Sequence, residues 1–411
     1  MEKNADSKGL RVAEFVRSGS DQVAAIERAP GVFENQGVGS SYLLTTPDGN
    51  VLVNAGSLGD ARRGKRLFEK VSQSPIRYIV LTQSHANQFG GLEIYKTPNN
   101  HVIAHHTYLD DRRYFESLKE HYVRGSRRIF AQITRSPTEI LPTQEVCPDI
   151  FIDDSYAFEL GGRHFEVIST PGGETRSAVI VWLPDEKIAI VGNLFGPLFG
   201  NHPNLNTMRG DKPRWALQFV DSAEKVRLLG PELILTGHEA IVGKDHIQRE
   251  TTRIIDAVQW VHDRTVEGMN TGKDLRTLMR EVKTPPELTL TEEYGKVAWN
   301  VRATWHEYTG WFDPTRGTTD LYGVPPSSVA PAIAELAGGV GRLSERALTF
   351  VADGRPIEAL HVLDVALAAD PSAETARAAK RAALELLGQQ TGGDNLWERM
   401  WIASELRALE T

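Results

Sequence analysis

Cysteine occurs once in 411 residues, at Cys147, which excludes an internal disulfide and any cysteine-built metal cluster. Basic residues are outnumbered: 46 Lys and Arg face 54 Asp and Glu, for a net charge of −8. No basic face of the kind that neutralises phosphates is expected, so nucleic acid is not a partner on this reading. Long apolar runs are also missing. The longest, such as Ser177–Leu183, fall far short of the ~20 residues that span a bilayer. The first ten residues are polar and charged, without the apolar centre of a secretory signal. Together these absences point to a cytoplasmic protein that meets a small molecule rather than a membrane.

What is present has two parts, because 411 residues are too many for one core. The first two thirds alternate β-branched runs with helical stretches. Ser41–Thr45 and Val51–Asn54 flank a Pro-Asp-Gly-Asn turn and read as a hairpin; Ile76–Thr82 reads as a buried strand, and Val102–Ala104 as the next. Helical composition over Thr107–Ile133 is followed by a second strand series at Ala157–Leu160, His164–Thr170, Ser177–Leu183, Lys187–Gly192 and Leu233–Thr236. Two strand series mixed with helices imply an α/β sandwich of two covered sheets. From about His246 the pattern turns helical, punctuated by Pro285-Pro286 and the Gly/Pro-rich 310–326. The expected domains are therefore 1–275, α/β, and 276–411, all-α.

Several polar segments sit where strands end. Thr82-Gln83-Ser84-His85-Ala86-Asn87-Gln88-Phe89-Gly90-Gly91 follows the third of these runs. Thr170-Pro171-Gly172-Gly173-Glu174, Val191-Gly192-Asn193 and Thr236-Gly237-His238 follow later ones, and Asn204-Leu205-Asn206-Thr207-Met208-Arg209-Gly210 lies between. This ordered set resembles the metallo-β-lactamase superfamily in its alkylsulfatase-like branch. The frame Thr82 and Gly90-Gly91 matches the signature Thr-His-x-His-x-Asp-His-x-Gly-Gly, but of its four ligand positions only His85 keeps its type. The segments Trp299–Asp313 and Leu396–Arg407 are similar to the branch's dimerisation domain. The resemblance covers about residues 30–410. It implies an αββα sandwich followed by a helical domain that forms a homodimer; the lipid-carrier-like C-terminal domain of typical alkylsulfatases is expected to be missing, since the chain stops at Thr411.

The resemblance also implies ligand positions, and most are rewritten here. Two zinc ions require imidazole donors and carboxylates that offset their charge. Gln83, Asn87, Gln88 and Asn193 offer neutral amides instead, which bind zinc poorly. A tight dinuclear centre is not expected. His85, Glu174 and His238 remain as catalytic candidates and as ligands for one divalent metal, zinc or iron, which would activate a water for ester or sulfate ester hydrolysis. The amides, with Asn204, Thr207 and Arg209, would hold an anionic substrate; a guanidinium suits sulfate. Other readings stay open: no metal, with the histidines simply hydrogen-bonded; iron-dependent oxidation; a metal-free lyase using His85 or His238; or a non-catalytic binder of an anion. Of His105-His106 at most one should face the cleft, His202 is a further candidate for substrate contact, and Trp260, Trp299, Trp305 and Trp311 read as core or dimer contacts.

Overall fold

The computed structural model describes residues 19–130, 146–208, 210–312 and 317–410. Its strands form two sheets. The seven-stranded sheet runs in sequence order through β1 (Ile26–Ala29), β2 (Val32–Asn35), β3 (Ser41–Thr46), β4 (Gly49–Val53), β5 (Ile76–Val80), β6 (His101–His105) and β7 (Ile150–Ile152). The six-stranded sheet has the order β13 (Ala240–Val242), β12 (Leu233–Thr236), β11 (Ile188–Gly192), β10 (Val179–Leu183), β9 (Arg163–Ser169) and β8 (Ser155–Leu160). The expected hairpin is β3–β4, with Thr46 paired to Gly49 across the turn.

Side-chain parity makes the layers. Successive strand residues point to opposite faces. Val51 and Val53 of β4, with Val80 and Ile103, meet Val179, Val181, Ile188, Ile190 and Leu235 from the other sheet in one buried core. Their neighbours turn outward. Leu52, Ile79, Val102 and Ala104 pack under Ala61 and Phe68 of helix Leu58–Val71 and under Phe89 and Tyr108. Ile180, Trp182, Ala189 and Ile234 pack under Phe219, Ala223 and Val226 of helix Ala216–Leu229 and Ile247, Ile254 and Val258 of helix Lys244–Asn270. These helical residues are three, four or seven positions apart, which gives each helix one apolar stripe. Strands apolar on both faces, with a helix layer over each sheet, make an αββα sandwich.

The first compact unit ends at Tyr308 and the second begins at Thr309. The change of pattern near 275 lies inside the first unit, because Leu275, Leu278, Val282, Val297, Val301 and Trp305 share a core with Val261 of the long helix. The second unit is all-α. Helices Val340–Ala352, Pro356–Ala369 and Glu374–Gln390 meet on small residues, Ala347, Ala359, Ala366, Ala376, Ala379 and Ala383, around Leu363. Leu336 is 89% exposed and Ile333, Leu348 and Ile357 are exposed too. Among the described residues no helix is long and apolar enough to cross a membrane.

Candidate functional site

Strands β5, β9, β11 and β12 each release a polar loop at their carboxyl ends, and those loops carry Gln83–Gln88, Glu174, Asn193 and His238. The backbone is fixed before the side chains are aimed. Asn54, at φ 61, accepts from Thr82 N at 2.9 Å and Thr82 Oγ1 at 3.0 Å through its Oδ1. Asn is one of the residues that tolerate this left-handed backbone. A Cβ at Gly192 would collide with Thr82 Oγ1, so the two sheets approach closely only through glycine. Val179 N donates to Thr82 O at 2.8 Å across the same junction. Glu174 adopts φ 75, a conformation that carries strain of about 1–3 kcal/mol and clusters at functional sites.

The side chains then form one buried cluster. Gln83 Nε2 lies 2.7 Å from His85 Nδ1 and 3.4 Å from Glu174 Oε2. Donating to both, it makes Nδ1 the acceptor nitrogen and places the ring proton on Nε2, which faces Asp211 Oδ2 at 3.1 Å. Asn193 Nδ2 donates to Glu174 Oε2 at 3.1 Å, and Gln88 Nε2 donates to Asn193 Oδ1 at 2.9 Å. Arg214 closes the cluster: Nη1 donates to Glu174 Oε1 at 3.2 Å and to Asn204 O at 2.7 Å, and Nη2 to Asp211 Oδ2 at 3.4 Å. The side chains of Arg214, Glu174, Asp211 and His85 are all under 10% exposed. Burial opposes the guanidinium charge, but Glu174 and then Asp211 outweigh it and raise the Arg214 pKa.

His238 stands beside this cluster. Its neighbour Gly237 lies against Asn193 Oδ1 and Gln88 Nε2, where a Cβ would not fit. The residue as a whole is half-buried but its Nδ1 is sealed from solvent, and it is the ring's surroundings that govern titration. Desolvation lowers its pKa to about 4 against the opposing pull of Glu174, so the ring is neutral at pH 7.

These residues do not fit a divalent ion. A ligand must offer a lone pair, and the Nδ1 lone pair of His85 is taken by Gln83 while Nε2 carries the proton. Glu174 accepts from Gln83, Asn193 and Arg214 on its two oxygens. Among the described residues, His85, Glu174 and His238 do not gather into a ligand trio; the trio with ligating atoms within 4.8 Å of one another is His105, His106 and Asp153. At the position of the expected one-metal centre, Glu174 meets a protein cation, Arg214.

The remaining expected positions divide. Asn87 turns to Val38 O at 3.3 Å and steadies that loop rather than the cluster. Asn204 is buried and its carbonyl anchors Arg214. Thr207 Oγ1 is buried with no hydrogen-bond partner, as is Arg214 Nε, and both are donors. Arg209 lies outside the described residues. Asp211 and Arg214 escaped the sequence reading; their signal was two opposite charges three residues apart just after the Asn204–Gly210 segment. Asp111 was missed as well. It is 2% exposed and takes Ser177 Oγ at 2.9 Å, with Arg176 and Lys212 each at 3.3 Å. His202 is 1% exposed, both ring nitrogens lack partners, and desolvation lowers its pKa to about 4.

Residues 35–238 match the metallo-β-lactamase superfamily, and residues 275–409 match the alkyl sulfatase dimerisation family. The chain belongs to the metallo-β-lactamase superfamily. It is 26% identical over 394 residues to a linear primary-alkylsulfatase of Pseudomonas sp. (strain ATCC 19151), covering 89% of this chain and 73% of that one. It is 24% identical to the alkyl/aryl-sulfatase BDS1 of Saccharomyces cerevisiae, covering 84% of this chain and 57% of that protein. The structure of the stereoselective inverting sec-alkylsulfatase Pisa1 from Pseudomonas sp. superposes with a TM-score of 0.82 at 22% identity, over 94% of this chain and 65% of that one. The chain thus spans between about half and three quarters of these relatives' lengths. The superfamily fold generally holds divalent metals such as zinc, and this metallo-β-lactamase domain meets that expectation with amides and a guanidinium.

Proposed function

We propose that this alkylsulfatase-like protein hydrolyses an organic ester, with sulfate esters as the leading class, through its own acid–base groups. The observation that carries the reading is the buried His85–Asp211 pair beside a neutral His238 at the strand ends, in a chain whose relatives are alkylsulfatases. A neutral imidazole is the form that a general base needs. Water forms a bond to the central atom of the ester, its proton passes to His238, and the ester C–O or S–O bond breaks. The departing oxygen takes that proton back from the His238 imidazolium, while His85, held by Gln83 at Nδ1 and by Asp211 at Nε2, lines the site. Thr207 Oγ1 and Arg214 Nε, buried donors without partners, are suited to anionic oxygens, and Arg209 of the same segment would add a further guanidinium.

The competing reading places one zinc or iron ion on His85, Glu174 and His238; the family's metal chemistry favours it, and it requires Arg214 to leave Glu174. One assay separates them: inorganic sulfate released from a linear primary alkyl sulfate, with and without chelator. We expect release that chelator does not suppress and that falls on the order of 100-fold or more in His238→Ala and in His85→Ala. Saturable binding of the alkyl sulfate with no release above the uncatalysed rate would replace hydrolysis with a binding role. Chelator-sensitive release would favour the ion.

For the helical segment 276–411 we propose the dimer contact. The dimerisation-family match and the exposed Ile333, Leu336, Leu348 and Ile357 support it. Light scattering should give about twice 45.5 kDa, and Leu336→Lys should shift the mass toward one chain. A full-length protein that scatters as one chain at micromolar concentration would contradict this.

A further inference from the structure

Where a metallo-β-lactamase site has carboxylates, something must offset their charge, because isolated buried carboxylates are expensive. In this chain two carboxylates, Glu174 and Asp211, are under 10% exposed and share one guanidinium. Arg214 reaches Glu174 Oε1 and Asp211 Oδ2 from its two terminal nitrogens, and Asn204 O holds the first of those nitrogens in place. The remaining Glu174 oxygen is covered by the amides of Gln83 and Asn193. Those amides stand at sequence positions where the superfamily signature has a histidine and an acid. A carboxylate there would need a cation; an amide donates to Glu174 and needs none.

We infer that Arg214 is a built-in replacement for the metal ion: its guanidinium neutralises Glu174 and Asp211, and the amides Gln83 and Asn193 complete a centre that excludes zinc. The two changes support each other. Arg214 beside intact metal ligands would repel an ion, and amides without Arg214 would take away the guanidinium that Glu174 and Asp211 share. Both terminal nitrogens of Arg214 and both oxygens of Glu174 are engaged as the centre stands, so zinc would have to displace a buried arginine to enter. The inference rests on the assignment of this cluster as the functional site, but not on which ester is cleaved.

Zinc uptake tests it without reference to turnover. The full-length protein carries His106→Ala throughout, so that the His105–His106–Asp153 trio cannot bind the probe. Zinc alone is titrated at pH 7.5 in competition with a chromogenic chelator. With Arg214 present, uptake at micromolar zinc should stay well below one ion per chain. Arg214→Met removes the charge at similar length and should tighten zinc binding on the order of tenfold or more, since two buried carboxylates that lose a guanidinium favour a cation in its place. Arg214→Lys keeps the charge and should behave as the parent. Stoichiometric zinc on the Arg214 protein that is lost with Glu174→Gln would overturn the inference. So would a folded Arg214→Met protein that gains no zinc. Should Arg214→Met fail to fold, the parent titration and its Glu174→Gln control still decide, because they need no change at Arg214.

Discussion

Two histidine clusters follow neighbouring strands of the seven-stranded sheet and obey different electrostatics. After β5, His85 lies under 10% exposed between Glu174 and Asp211, and the guanidinium of Arg214 spans both acids. At the end of β6, His105 is buried between two hydroxyls, Thr107 Oγ1 at 2.9 Å and Ser169 Oγ at 3.0 Å, while His106 meets an Asp153 that is 92% exposed. Solvent can screen the rim acid. The interior acids cannot be screened, so the chain supplies a cation for them. Among the described residues the cluster that has the spacing of a metal trio is His105, His106 and Asp153, whereas the lone pairs of His85 and Glu174 face neighbouring side chains. Proximity of His and acid is thus not enough for a metal site; the lone pairs must also be available.

The sharpest way to break this contrast is to remove charge from each cluster in turn. Arg214→Met should lower unfolding free energy by about 3–5 kcal/mol, the cost of breaking a buried ion pair by removing one partner. Asp153→Asn at the rim should leave the urea midpoint unchanged. A mild effect at Arg214 would mean that water reaches Glu174 and Asp211 and that the two clusters are alike.

A second effect comes from the neutral histidines. The His202 pKa, lowered to about 4 from an ordinary value near 6.5, means that the folded state binds fewer protons than the unfolded one in between. Its contribution is therefore present above pH 6.5 and is lost as pH falls toward 4, by about 3 kcal/mol at most. His238 acts in the same direction. In His202→Gln the fall in stability over that window should flatten by up to one proton. An unchanged slope would show that the His202 ring reaches solvent.

The smallest expected effect lies in the amide set. Asn87 points away from the cluster to Val38 O, whereas Gln88 holds Asn193. Asn87→Ala should reduce sulfate release less than Gln88→Ala does. The reverse order in a steady-state assay would place Asn87 in the substrate's path.

The layers of this fold were legible because burial leaves a plain pattern. Val179–Leu183 and Ile188–Gly192 are apolar at every position, as strands covered on both faces must be, and the sheets take them in that way. The strand-end loops were legible too: Gln83, His85, Gln88, Glu174 and Asn193 come together as one network. Asp211 and Arg214 were not. They sit in an Asp-Lys-Pro-Arg stretch whose composition is that of any exposed turn, and only tertiary burial makes the pair a site. The end of the first compact unit was hidden for a related reason. Helical periodicity after 275 shows that Val297, Val301 and Trp305 share a face, but not that the face packs on Val261.

The central claim, a metallo-β-lactamase cluster closed by Arg214 instead of an ion, is tested most directly by diffraction at the zinc absorption edge from crystals grown in zinc. No anomalous peak should appear between His85 and Glu174, with the Arg214 guanidinium in contact with Glu174 and Asp211. A full-occupancy peak bonded to His85, Glu174 and His238, with Arg214 swung away, would contradict it.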